Sequence, residues 1–224
     1  MTTNDLRVGE RMQHRGGVTY YSSRSLYDDL AVVIERFPGR AAASRCFVLV
    51  HGIGVSSRYF HPLATELANS GEVFLIDLAG YGAVPNPKRD VPIQLHADVL
   101  GNLLQRAGVE NPVLVGHSMG TQVVSQLASD APQSSDRLVL IAPTVNPPDR
   151  RFSTEGRLTS IEARTLVPRG DSDPISPRSW AETVAGRVAA ERCLCRSHWA
   201  SCRDALRPGV HCLPRREPLG VTGR

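Results

Sequence analysis

The sequence predicts an α/β fold: a doubly wound, mostly parallel sheet with helices packed on both faces. Three observations carry this. Short, continuously apolar, β-rich runs recur along the chain, segments of helical periodicity lie between them, and several of the runs end at glycine-containing turns. A strand of a parallel sheet is covered on both faces by its crossover helices, so it reads as apolar throughout instead of alternating.

The first such run is Phe47-Val48-Leu49-Val50-His51, stopped at Gly52. The others are Val73 to Ile76, Val113 to Val115, Leu138 to Ile141 and Thr165 to Val167. Between them, Tyr59 to Ala68 and Ile93 to Ala107 predict helices. In the second, Ile93, Ala97, Leu100, Leu104 and Ala107 fall at three- and four-residue spacing, and Gly108 is a stop. Ser118 to Ala128 and Pro177 to Val188 predict two more. Strand and helix alternate, which right-handed crossovers convert into a doubly wound sheet. Ahead of residue 45, Val18 to Tyr21 and Leu30 to Ile34 are candidate antiparallel edge strands, the second equally readable as a helix.

With 224 residues, one domain is expected, and 41% hydrophobic and 21% charged residues describe an ordinary globular composition. No apolar run approaches the roughly 20 residues needed to cross a bilayer, and the first residues lack a basic segment followed by an apolar one. A soluble, cytoplasmic protein with no membrane partner is the expectation. Residues 191–224 hold 7 of the 26 basic residues and 3 of the 22 acidic ones, leaving 19 of each in residues 1–190. The body is therefore neutral, and a basic face for nucleic acid is not expected. Cys46 stands alone in the body, whereas Cys193, Cys195, Cys202 and Cys212 crowd the same tail at spacings that match no standard zinc pattern. The division expected is a core at 1–190 and an atypical Cys/Arg-rich tail at 191–224 with no clear period, whose little apolar surface opposes its folding.

The strongest chemical signal is Gly116-His117-Ser118-Met119-Gly120, a G-x-S-x-G set between a predicted strand and a predicted helix. A sharp turn there exposes the Ser118 hydroxyl as a nucleophile, brings the two glycines against neighbouring backbone, and points the Met119 amide at a developing oxyanion. His51-Gly52-Ile53-Gly54 follows the first strand, where the Ile53 amide can serve as the second oxyanion donor. His51 reads as a hydrogen-bonded structural residue, and His117 as a residue that can line the pocket. Asp77, ending its strand in Asp77-Leu78-Ala79-Gly80-Tyr81-Gly82, suits the tying of a neighbouring loop through backbone amides.

Taken with Leu140-Ile141-Ala142-Pro143 and Arg169-Gly170-Asp171-Ser172-Asp173-Pro174-Ile175, these motifs resemble, in order and over residues 45–190, the α/β-hydrolase superfamily in its serine esterase-like branch. The resemblance implies a triad in which Asp173, or failing it Asp171, orients a histidine. It implies hydrolysis of a small carboxylic ester or thioester through an acyl-Ser118 intermediate, with no metal and no organic cofactor. The chain departs from the family in two places. Pro143 to Ala163 is only 21 residues, too short for the usual helical lid, so an open site favouring short acyl groups is expected. After Asp173 only His198 and His211 remain, neither following an evident strand. His211, in Pro208-Gly209-Val210-His211, better matches the family's histidine loop, and His198 the customary interval; His211 is the expected base. A chain with no properly placed histidine would be a non-catalytic member with a ligand pocket.

Overall fold

Each apolar run becomes a strand of one sheet in the computed structural model, which describes residues 9–27, 29–40, 45–144, 155–170, 172–188 and 192–196. The strands are β1 (Arg11–Arg15), β2 (Val18–Tyr27), β3 (Leu30–Phe37), β4 (Arg45–Val50), β5 (Gly71–Asp77), β6 (Val113–His117), β7 (Arg137–Ile141), β8 (Arg164–Arg169) and β9 (Arg192–Arg196). The helices are α1 (His61–Leu67), α2 (Ile93–Arg106), α3 (Met119–Asp130) and α4 (Arg178–Arg187). The strand order is β1-β2-β3-β5-β4-β6-β7-β8-β9. From β4 to β9 every pairing is parallel, and β1, β2 and β3 add an antiparallel edge beside β5.

Alternation along each strand divides the core into two layers. Val48 and Val50 of β4 pack with Ala97 and Leu100 of α2 and Val123 and Val124 of α3. Phe47 and Leu49 face the other way, toward Phe60, Ala64 and Leu67 around α1. Both faces of β4 are covered, which is why the run is apolar without alternation. β4 also has β5 on one side and β6 on the other, so the chain leaves it and β6 in diverging directions. At such a switch point a crevice opens outside the carboxyl ends of the strands. The turn after β4 is His51-Gly52-Ile53-Gly54, and the turn after β6 holds Ser118.

Two differences from the sequence reading have physical causes. β1 carries no apolar signal because all five of its residues are exposed. It is held as a hairpin to β2 through Gly16 and Gly17, whose φ of 57° and 79° suit a two-residue turn that twists with the strands. The ambiguous segment at 30–34 lies in β3, paired to β2 and β5. At the other end, residues 192–196 pair in parallel with Thr165–Arg169, so the sheet continues past the boundary at 190 and the expectation of no element from Glu191 onward is corrected. Backbone pairing along β8 makes this strand, which the Arg/Cys-rich composition conceals. The rest of the tail, His198 and His211 included, lies outside the described residues, as does Asp171.

The connection from β7 to β8 is described from Glu155, where a 3-10 turn spans Glu155–Ser160. Leu158 and Ile161 are buried in the core beside α3 and α4, and Arg157 pairs with Asp130 at the far end of α3 from Ser118. The described part of this connection therefore packs under the sheet's helices and does not form a lid over the turn at Ser118. Among the described residues no helix is long and apolar enough to cross a membrane.

Buried histidine makes the fold acid-sensitive. Burial, reinforced by nearby His51, pushes His96 of α2 from its ordinary 6.5 to about 4. A folded state that resists protonation loses stability once the unfolded chain starts to bind the proton. The contribution is thus complete above pH 6.5 and lost as pH falls toward 4, at about 1.4 kcal/mol per pH unit at most. Urea unfolding of the His96→Gln variant should show a shallower fall of stability between pH 6.5 and 4 than the wild type; parallel curves would refute the assignment.

Candidate active site

The site is built from two turns at the carboxyl edge of the sheet. β6 ends at His117 and α3 begins at Met119, leaving Ser118 alone to make the turn, with φ 52° and ψ −118°. A non-glycine residue rarely takes such a conformation, which costs about 1–3 kcal/mol and persists only where the surroundings enforce it. They do so here. The Ser118 N–H donates to the Ile141 carbonyl at 3.0 Å, and its carbonyl accepts from the Thr121 N–H at 2.9 Å and the Thr121 hydroxyl at 2.6 Å.

The two flanking glycines are required by steric contact. A Cβ on Gly116 would strike the Gly120 carbonyl oxygen and lie 2.7 Å from Thr121 Cα. One on Gly120 would strike the Val50 carbonyl oxygen and lie 2.7 Å from that of His51. The elbow is thus pressed directly against the end of β4. Gly52 completes the contact from the other side, since a Cβ there would stand 3.1 Å from Ser118 Cβ.

These contacts bring the Gly52 turn and the start of α3 together at Ser118. Met119 is the first residue of α3, so its N–H has no intrahelical acceptor and sits at the positive end of the helix dipole. Ile53 is one residue beyond Gly52 in the facing turn and is 66% exposed. Gly54, with φ 73°, turns the chain away.

His51 is fully buried and supports the turn. Its Nε2 accepts the Leu78 N–H at 3.1 Å, so Nδ1 carries the proton and donates to the Gly52 carbonyl at 2.6 Å. Burial holds its pKa below the ordinary value, against opposing contributions from the Gly52 bond and the Asp77 charge, so it stays neutral. Asp77 fixes the same region from β5. One oxygen accepts the Ser57 N–H at 2.6 Å and the other the Ala83 N–H at 3.1 Å, and Gly82 lacks a Cβ that would strike this carboxylate.

His117 turns out to be tightly placed, and with it Tyr59, which the sequence reading treated only as the start of a helix. The Tyr59 hydroxyl accepts the Gly52 N–H at 3.3 Å and lies 2.8 Å from His117 Nδ1. With the amide as donor on one side, the phenolic hydrogen goes to Nδ1, which leaves the ring proton of His117 on Nε2. Burial holds His117 below the usual histidine pKa; the Asp173 charge opposes this and His51 adds to it. Spacing gives no signal for the Tyr59 pairing, because the partners come from different strand ends.

Asp173 sits in the loop after β8. Its Oδ1 accepts the Ile175 and Ser176 N–H groups at 2.9 and 3.1 Å. The buried Arg169 side chain braces the loop, with Nε donating to the Ser176 carbonyl at 3.0 Å, and the Ser176 hydroxyl donates to the Pro143 carbonyl at 2.8 Å.

Comparison with known proteins agrees with this architecture. Residues 46–159 match the model of the alpha/beta hydrolase fold family. The chain belongs to that family. A protein of Escherichia coli named as a carbamate hydrolase, RutD, is 31% identical over 168 residues, which is 71% of this chain and 62% of that protein. An uncharacterized protein of Mycobacterium tuberculosis is 33% identical over 102 residues, 46% of this chain. The chain spans 30% of the length of that mycobacterial relative and less than two thirds of RutD. Among solved structures, a hydrolase from Pseudomonas aeruginosa superposes with a TM-score of 0.70 at 20% identity, covering 79% of this chain and 89% of that one. An N-acyl homoserine lactone degrading enzyme gives 0.74 at 17% identity, covering 84% of this chain and 100% of that one.

Proposed function

We propose that the chain is a serine hydrolase acting in the cytoplasm on small carboxylic esters or thioesters. The observation that carries this is Ser118 itself: a strained residue at the N-terminus of α3, pressed against the His51-Gly52-Ile53-Gly54 turn. The name of the relative RutD supports the class, since a carbamate also presents a carbonyl carbon with a heteroatom leaving group.

In this reading a histidine takes the Ser118 hydroxyl proton as Oγ attacks the carbonyl carbon. The oxyanion is held by the Ile53 and Met119 amides, each worth roughly a hundredfold or more in rate. Collapse expels the alcohol or thiol, which takes the proton back from the histidine. Water, deprotonated by the same imidazole, then attacks the acyl-serine; the bond to Ser118 Oγ breaks, Oγ takes that proton back from the imidazolium, and the acid is released. The steps use no metal or organic cofactor. Asp173 is the acid: Oδ1 is engaged by two backbone amides, leaving the second oxygen for an imidazole.

For the histidine, the direction of β9 supports His198. This strand runs parallel to β8 and ends at Arg196, so its carboxyl end lies at the same sheet edge as those of β6 and β8, after which Ser118 and Asp173 follow. His198 is two residues further on, and His211 much further. The proposed base is therefore His198, in place of the expected His211. Against p-nitrophenyl acetate, Asp173→Asn and His198→Ala should each lower kcat by about a hundredfold or more, with His211→Ala within about twofold of wild type. Loss with His211→Ala alone would return the role to His211. Full activity in both histidine variants would make the chain a non-catalytic member of the fold.

A further inference from the structure

The two proposed oxyanion amides come from separate strand ends. Met119 belongs to the elbow after β6, and Ile53 to the turn after β4. Their spacing matters because a donor must stand about 2.7–3.1 Å from the place where the oxyanion forms. The Ile53 turn is a surface loop, with Ile53 and Val55 66% and 43% exposed. Something must therefore hold it in register with the elbow.

We infer that Tyr59 is that positioning residue: its phenol ties the Gly52 amide to the His117 imidazole and so fixes the Ile53 donor relative to Ser118. This rests on the serine hydrolase reading of the site. Gly52 immediately precedes Ile53 and His117 immediately precedes Ser118, so the phenol joins the neighbours of both reacting positions. It reaches Gly52 at 3.3 Å and His117 at 2.8 Å. The ring is itself fixed, edge-on to His117 with centroids 5.4 Å apart and tilted against Phe60 at 4.3 Å. Its backbone lies in the 3-10 turn Ser57–Phe60, whose first amide is anchored to buried Asp77. The bridge is thus mounted on the sheet independently of the loop it holds. Beside the direct packing of Gly52 on Ser118, the hydroxyl is the hydrogen-bonded link between the two turns, with Gly52 contributing its amide and His117 an acceptor nitrogen. Tyr59 makes no bond to the reacting atoms in this account and acts through Gly52 and His117.

The test is Tyr59→Phe, which removes the hydroxyl and keeps the ring. With p-nitrophenyl acetate kcat should fall about tenfold, part of the hundredfold or more for loss of a whole oxyanion donor, while KM stays within about twofold. Exchange of the Gly52 amide proton, followed by NMR, should accelerate in the same variant. A cycle with His117→Phe separates bridging from packing. Because the bridge needs both ends, Tyr59→Phe should cost little more in the His117→Phe background, a result that also serves if Tyr59→Phe alone folds poorly. Unchanged kcat with unchanged Gly52 exchange would overturn the proposal, as would a raised KM at unchanged kcat, the mark of a residue that only lines the pocket. If the wild type neither turns over the ester nor reacts with a fluorophosphonate, the hydrolase reading fails by itself. The Gly52 exchange measurement then still decides the bridge, and equal rates in both proteins would overturn it.

Discussion

Replacing Ser118 with Ala is expected to abolish labelling by a fluorophosphonate and to lower ester turnover by at least about a hundredfold. The expectation follows from geometry more than from the residue type. Among the described residues Ser118 is the serine with a positive φ, at 52°, and it caps a helix whose first amide has no intrahelical acceptor. The alanine variant keeps the Cβ, so the fit of Ser118 Cβ against Gly52, 3.1 Å from where a Gly52 Cβ would stand, is undisturbed and folding should change little. Turnover retained in a variant of unchanged melting temperature would mean that the nucleophile lies elsewhere.

Gly120→Ala is expected to have the largest effect on stability. The added methyl falls on the Val50 carbonyl oxygen and within 2.8 Å of the Val50 carbonyl carbon, which belong to the central strand β4. Neither can yield without moving the Ile53 turn, so the substitution should cost about 1–3 kcal/mol or more through overpacking. At roughly 2–4 °C per kcal/mol for a chain of this size, the melting temperature should fall by several degrees. Fluorophosphonate reactivity should fall with it, because the displaced atoms adjoin the turn that holds the proposed Ile53 donor. Gly186→Ala supplies the contrast. That glycine lies on α4 with nothing within 4 Å of its would-be Cβ, so the same substitution should be neutral or stabilising by up to about 1 kcal/mol. Equal effects at the two positions would show that the clash at Gly120 is relieved.

The sequence could be read wherever one residue's requirements are local or periodic. The strands from β4 to β8 are buried on both faces and announce themselves by unbroken apolar runs, and α2 does so through its stripe from Ile93 to Leu104. The elbow was visible because its two glycines stand at fixed spacing from the serine. Asp77 could be foreseen as a loop tie because a strand-end carboxylate has few other buried uses, and it holds two loops.

What escaped the sequence was set by pairing between segments distant along the chain. β1 is wholly exposed and β9 lies in a run of Arg and Cys, so both exist through backbone bonds to a neighbour strand, which no side-chain pattern reports. The same cause bears on the proposed base, since the sequence offers both His198 and His211 and the support for His198 over His211 comes from β9 lying beside β8. Tyr59 and His117 are 58 residues apart, and each is unremarkable in its own segment. The chain's composition and motifs by themselves determined the α/β class, the succession of strands and helices from β4 to β8 along the chain and the candidate nucleophile, because burial and steric fit at a turn act on neighbouring residues. Only the tertiary structure decided which strand ends meet, and hence which side chains can hold the two turns together, because that depends on strand order across the sheet.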